Sequence, residues 1–212
     1  MLSIRFNTSS RFSLSFLESV MVLPESEELS GYYMALGEFV SAFSEAEFMV
    51  QLLLWQRCKI DYTTSLVFFR GMGLKQQIDA IRAIHKEHQT DIDPVLDEAL
   101  SQLVVILGVR NDILHFGFHL QEGDEVAYVR NHKRTQDPKK IKEIPISPKI
   151  LRDMVLDLSK INYRVGLFTD LTLAELDTKT FEEQKKNLSR IPFLYKLPSQ
   201  EKKSRKNRHT KK

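Results

Sequence analysis

DPVLDEALSQLVVILGVRNDILH, residues Asp93 to His115, is the stretch that decides the fold. It opens with an acid followed by proline, a pairing that caps a helix and fills its first turn, where a proline lacks no hydrogen bond it could have made. From there Leu96, Leu100, Leu103, Leu107, Arg110 and Leu114 recur at intervals of 4, 3, 4, 3 and 4, a heptad-like seam that a helix running to about Leu114 turns toward a core. That seam carries a cation, Arg110, at a core position. A second long helix is predicted from Leu29 to about Lys59, with Leu36, Phe39, Phe43, Val50 and Leu54 on one face and Glu38, Ser41 and Glu45 on the other. Glu47 falls inside that apolar stripe. Each helix therefore buries one charge, of opposite sign, and a hydrogen-bonded Glu47–Arg110 ion pair is the simplest resolution, because either charge alone would cost several kcal/mol.

Working outward, Asp61 is a plausible N-cap for a short helix over Tyr62 to Arg70, and Gly71-Met72-Gly73 breaks it from another over Leu74 to His88. The glycine pair lacks the Lys-Ser/Thr that a phosphate loop needs. After His115 the pattern becomes alternating: Phe116, Phe118 and Leu120, then the turn Glu122-Gly123-Asp124, then Val126 and Tyr128, with a third short strand around Ile141 to Ile146. Ser147-Pro148 repeats the cap-plus-proline signal and opens a fifth helix, Lys149 to about Phe168, with Ile150, Met154, Leu158, Ile161 and Val165 on one face. A weaker helical stretch lies near Phe181 to Leu188. The apolar segment Ile191 to Leu197 is expected to pack back on the body.

Composition agrees with a helical chain. Gly and Pro together make only 15 of 212 residues, about half the usual usage of roughly 12%. A single cysteine, Cys58, excludes an intramolecular disulfide and a multi-cysteine zinc site and points to a reducing, cytoplasmic setting. No stretch approaches the roughly 18 consecutive apolar residues of a membrane span, so no membrane partner is expected. The net charge of +3 conceals an asymmetry: residues 199–212 hold seven Lys and Arg against Glu201, leaving the rest of the chain slightly acidic. Such a run suits a solvated tail or a polyanion-binding one. The N-terminal residues hold Arg5, Arg11, many serines and the run Leu14, Phe16, Leu17, but Glu18 interrupts it and no small-residue cleavage site follows.

The chemistry concentrates in Arg110-Asn111-Asp112-Ile113-Leu114-His115. On a helix Asn111 and His115 lie about 40° apart and share a face, with Arg110 on the adjoining edge. A guanidinium can hold a phosphate bidentately, and an imidazole can take or give a proton near neutral pH. Metal-free RNA cleavage needs those two functions: a base for the ribose 2′-hydroxyl and a cation for the charge growing on the phosphoryl oxygens. A purely structural reading stands beside it, with Arg110 neutralised by Glu47 and with Asn111 and His115 capping the helix end. The other histidines form no complete ligand set. His85, His88 and Asp91 share a solvated face, and His119 and His132 flank the hairpin. Cys58 has no activating base in the sequence, and no Gly-x-Ser-x-Gly is present.

With these residues the chain resembles the HEPN domains (higher eukaryote and prokaryote nucleotide-binding), whose hallmark is Arg, a polar residue often Asn, three to five further residues and then His near a helix end. Here these are Arg110, Asn111 and His115, and the internal acid of the first helix is Glu47 in the run Phe43-Ser44-Glu45-Ala46-Glu47. The resemblance covers residues 29–169. It implies an all-α, HEPN-like bundle of about five helices with a small β-hairpin insert, dimerising so that two motifs share a cleft. It further implies a metal-independent endoribonuclease without a cofactor, of the kind found in toxin, phage-defence and RNA-processing systems, with RNA, a second copy and an antitoxin as partners. His115 is then the base or acid, Arg110 stabilises phosphate, Asn111 orients and Glu47 positions Arg110. Many relatives are instead non-catalytic interaction or scaffolding domains. A subgroup has Tyr two residues after His, where nucleotide transfer inactivates the toxin; Gly117 stands there in this chain, so that control is not expected. The organisation expected is a poorly ordered extension over 1–28, the bundle over 29–169 with its hairpin at 116–130, a packed segment over 170–198 and a basic disordered tail over 199–212.

Overall fold

The computed structural model describes residues 27–116, 127–130 and 143–197. Helix α1, Glu27–Cys58, is 32 residues and about 48 Å long. It starts inside the segment 1–28 expected to be an extension. Its buried positions, Tyr32, Ala35, Phe39, Phe43, Ala46, Val50 and Leu53, follow each other at three or four residues, so one continuous stripe faces the core. That stripe passes through Ala46, which leaves Glu47 half-buried at its edge rather than within it.

The next helices begin and end where local chemistry dictates. Asp61 caps α2, Tyr62–Phe69, accepting from the Thr64 hydroxyl (2.6 Å) and amide (3.0 Å), and these bonds hold its carboxyl below the usual carboxylate range. Gly71 then adopts φ +98°, a conformation that side chains rarely tolerate, which separates α2 from α3, Leu74–Glu87. The Asp93 carboxylate accepts from the Val95 amide (2.9 Å) at the start of α4, Pro94–Phe116. Ser147 caps α5, Pro148–Leu167, through the Ile150 amide (3.2 Å). Two further helices follow, α6, Asp170–Glu175, and α7, Thr178–Ser189. The described residues are thus mostly helical, with seven helices instead of about five.

Of the hairpin expected at 116–130, only Phe116 and the last strand fall among the described residues. Phe116 is the last residue of α4, and β1, Ala127–Arg130, pairs antiparallel with β2, Glu143–Ile146, in the register Ala127 to Ile146 and Arg130 to Glu143. The strand predicted around Ile141 to Ile146 is therefore the partner of the Val126–Tyr128 strand, while residues 117–126 lie outside the described residues. Tyr32 fastens this sheet to α1 by donating to the Ile146 carbonyl (3.2 Å), and burial pushes its hydroxyl pKa up, keeping it a donor.

Helix α5 packs against both α1 and α4, and α3 closes the other side of α1. The C-terminal segment is held to α5 by two buried charges. Asp157, wholly buried, accepts from the amides of Leu194 (2.8 Å) and Tyr195 (2.8 Å), from the Gln102 side chain (3.3 Å) and from Lys160 (3.0 Å). Seven residues on, Arg164 is 1% exposed and donates to Glu98 (2.6 Å) and to the carbonyls of Leu188 (2.8 Å) and Ile191 (2.7 Å), with its guanidinium 4.4 Å from the Phe193 ring centre.

Removing one partner of such a network leaves buried groups unsatisfied. Asp157→Ala is expected to cost about 3–5 kcal/mol in urea unfolding and to open Arg190 and Lys196 to trypsin. Unchanged stability would mean that the segment is anchored some other way.

Candidate functional site

The position of the motif follows from the register of α4. Up to Leu103 burial follows the leucine seam, but beyond it the buried residues are Ile106, Val109 and Ile113, while Leu107 is half-buried and Leu114 is 52% exposed. A straight helix of 3.6 residues per turn drifts about 20° per heptad from a 3.5 repeat. Because Val104 to Val109 is apolar nearly all round, nothing holds the leucines in the core against that drift.

Arg110 is consequently half-buried at the rim of the core rather than inside it. Its guanidinium lies 5.4 Å from the Phe43 ring centre, and Nη1 donates to Asn111 Oδ1 at 3.1 Å. The Glu47–Arg110 ion pair expected from the sequence is not formed, because neither residue needs the other once both have left the core. Glu47 lines instead a groove of about 660 Å³ between α1, α2 and the α2–α3 turn, together with Gln51, Leu66, Arg70 and Gln77. No carboxylate pairs with Arg110 among the described residues.

His115 is exposed on the last turn of α4. It shares a stripe with Val104, Gly108 and Asn111, at intervals of 4, 3 and 4, on the face turned away from the buried seam. Gly108 is exposed, and a Cβ added there would meet nothing within 4 Å. The structure thus brings Arg110 and Asn111 into contact, sets His115 one turn beyond Asn111, and keeps Glu47 apart from them. The stripe was visible in the spacing, but the stronger leucine pattern on the neighbouring face masked it.

The remaining candidates behave as ordinary structural groups. His85 Nδ1 lies 3.2 Å from the Thr90 hydroxyl, which itself donates to the His85 carbonyl. The hydroxyl therefore accepts from Nδ1–H, leaving Nε2 bare and shut from solvent without a partner. His85, His88 and Asp91 belong to no group of three ligating side chains, and none occurs among the described residues. Burial pushes the half-buried Cys58 thiol pKa up, away from reactivity. His119 and His132 lie outside the described residues.

A second groove, of about 620 Å³, lies between α1, α5, α6 and α7 and is lined by Glu45, Met49, Asn162, Tyr163 and Asn187 among others. Neither groove is lined by Arg110, Asn111 or His115. Sequence reasoning missed this second groove, since its residues come from four helices at no regular spacing. No helix of the described residues is long and apolar enough to cross a membrane. Comparisons of the chain with protein-family models, with curated proteins and with solved structures found no match.

Burial first, then the positive Arg57 and His88, hold the His85 pKa below its ordinary value. The folded protein therefore binds fewer protons there than the unfolded chain, and its stability falls as pH drops below about 6.5. His85→Gln is expected to flatten that part of the stability–pH curve measured by urea unfolding. An unchanged slope would show that His85 is not the group responsible.

Proposed function

We propose that this chain is a HEPN-like, metal-independent endoribonuclease that acts as a homodimer in the cytoplasm, in a toxin or defence setting with an antitoxin as its second partner. The observation that carries the reading is the state of Arg110: its charge has no carboxylate partner among the described residues and is held by Phe43 and Asn111 beside the turn that presents His115. A guanidinium so placed can receive a phosphate without first breaking an ion pair.

In the reaction His115 removes the ribose 2′-hydroxyl proton, the 2′-oxygen bonds to the adjacent phosphorus and the bond to the 5′-oxygen breaks. The leaving oxygen takes its proton from a second acid, the partner's His115. Arg110 stabilises the charge on the phosphoryl oxygens, and Asn111 fixes the guanidinium. Gly108 supports the shared cleft, because a glycine in a helix interior costs roughly 1 kcal/mol against alanine and nothing among the described residues requires it. Close approach of a second helix there would bring two Asn111–His115 pairs together.

The expected result with RNA in EDTA is a 2′,3′-cyclic phosphate and a 5′-hydroxyl end. The rate falls about 10²- to 10⁴-fold in His115→Ala and is unchanged in Glu47→Gln, which removes no contact to Arg110. No cleavage of diverse RNAs by the wild-type chain would refute the nuclease reading. For the dimer, Gly108→Ala should stabilise the helix while Gly108→Trp yields monomers in analytical ultracentrifugation; a dimer that survives Gly108→Trp pairs through another face.

One observation favours the alternative, a non-catalytic interaction domain. Consecutive residues Leu66, Val67 and Phe68 of α2 are exposed, the last two by 75% and 70%, an apolar patch suited to a protein partner. On that reading His115→Ala alters no chemistry. A third reading, nucleic-acid binding through the basic residues 199–212, predicts steep salt dependence without cleavage; those residues lie outside the described ones.

A further inference from the structure

The groove between α1, α5, α6 and α7 carries acceptors with nothing to accept. Glu45 is the one charged residue that lines it, and this carboxylate takes part in no hydrogen bond or ion pair among the described residues. Asn162, on the α5 wall, makes no side-chain hydrogen bond, and its Oδ1 is closed off from solvent without a partner. The lining side chains that carry N–H groups are the neutral amides of Asn162, Gln184 and Asn187, and none of them bonds Glu45 among the described residues.

We propose that this groove binds a small organic cation, an ammonium or guanidinium head on an alkyl body, independently of the motif on α4. The absence of Lys, Arg and His from the lining leaves it a net negative charge, so a phosphate-bearing ligand is repelled and a neutral one leaves the carboxylate desolvated. Tyr163, 71% exposed at the mouth, offers a ring face to the cation. Ser159, Thr172, Gln184 and Asn187 supply further oxygens around the rim.

The floor suits the alkyl body. Met49, Leu167 and Leu188 line it, and Gly166 leaves room for Met49: a Cβ there would stand 3.3 Å from Met49 Cε, so the thioether would have to give. The volume of about 620 Å³ is in the range of small-molecule sites.

Agmatine, which has a guanidinium at one end and an ammonium at the other, is the probe, and isothermal titration calorimetry on the full chain is the measurement. Saturable binding of one agmatine per chain is expected, with Kd on the order of 10⁻⁵ to 10⁻³ M, and spermidine competes while inorganic phosphate and AMP do not. Glu45→Gln and Tyr163→Ala change exposed side chains, leave the fold intact by circular dichroism and weaken binding, Glu45→Gln by about tenfold or more. Absence of saturable agmatine binding overturns the proposal, as does binding that both variants leave unchanged or that AMP matches. The RNA-cleavage result bears on none of these outcomes, since no residue of the groove belongs to the α4 motif.

Discussion

Asp157 and Arg164, one helical face of α5 and seven residues apart, are both shut away from water, and neither could be tolerated there alone. They are made acceptable by main-chain groups of residues 188–195, which lie about thirty positions downstream, and by Glu98 and Gln102 of α4. The same contacts thus close the C-terminal segment and fix α4 against α5. With α4 fixed, its opposite face, with Gly108, Asn111 and His115, has to point outward. The accessibility of the motif is therefore a consequence of a buried charge arrangement that does not touch it.

The position of Arg110 shows how much a small register change matters. In a strictly heptad-packed α4 it would be a buried cation in need of an acid, and Glu47 would be a structural necessity. Burial of Ile106, Val109 and Ile113 rotates the helix just enough to set the guanidinium at the edge, where an aromatic ring and a neighbouring amide suffice. An aromatic ring attracts a cation without neutralising it, which a carboxylate would do. Arg110 thereby sits beside Phe43 and Asn111 with no carboxylate partner among the described residues.

Much of the helical architecture was legible because it is encoded locally. Asp61, Asp93-Pro94 and Ser147-Pro148 each mark a helix start, and the structure places α2, α4 and α5 there. The Gly71-Met72-Gly73 break is equally local, set by one positive φ. What depends on relations between distant segments was not legible. The pairing of β1 with β2 joins segments thirteen or more residues apart, and the alternation within each strand does not say which other stretch it meets. The roles of Asp157 and Arg164 were hidden because a charge every seventh residue reads as a solvated face until the segment covering it is known. The contact of Arg110 with Asn111 was foreshadowed by their place near the helix end, but the surroundings were misjudged, since spacing alone cannot say which of two adjacent apolar faces of α4 wins burial.

The way the last described residues are fastened has a genetic corollary. A premature stop codon just after Arg190 would remove no helix of the described residues, yet it would strip the amides that satisfy Asp157 and the carbonyl of Ile191 from Arg164. Such an allele would be cleared by cellular proteases and score as a null, while one ending after Leu197 would keep every one of those bonds and accumulate normally.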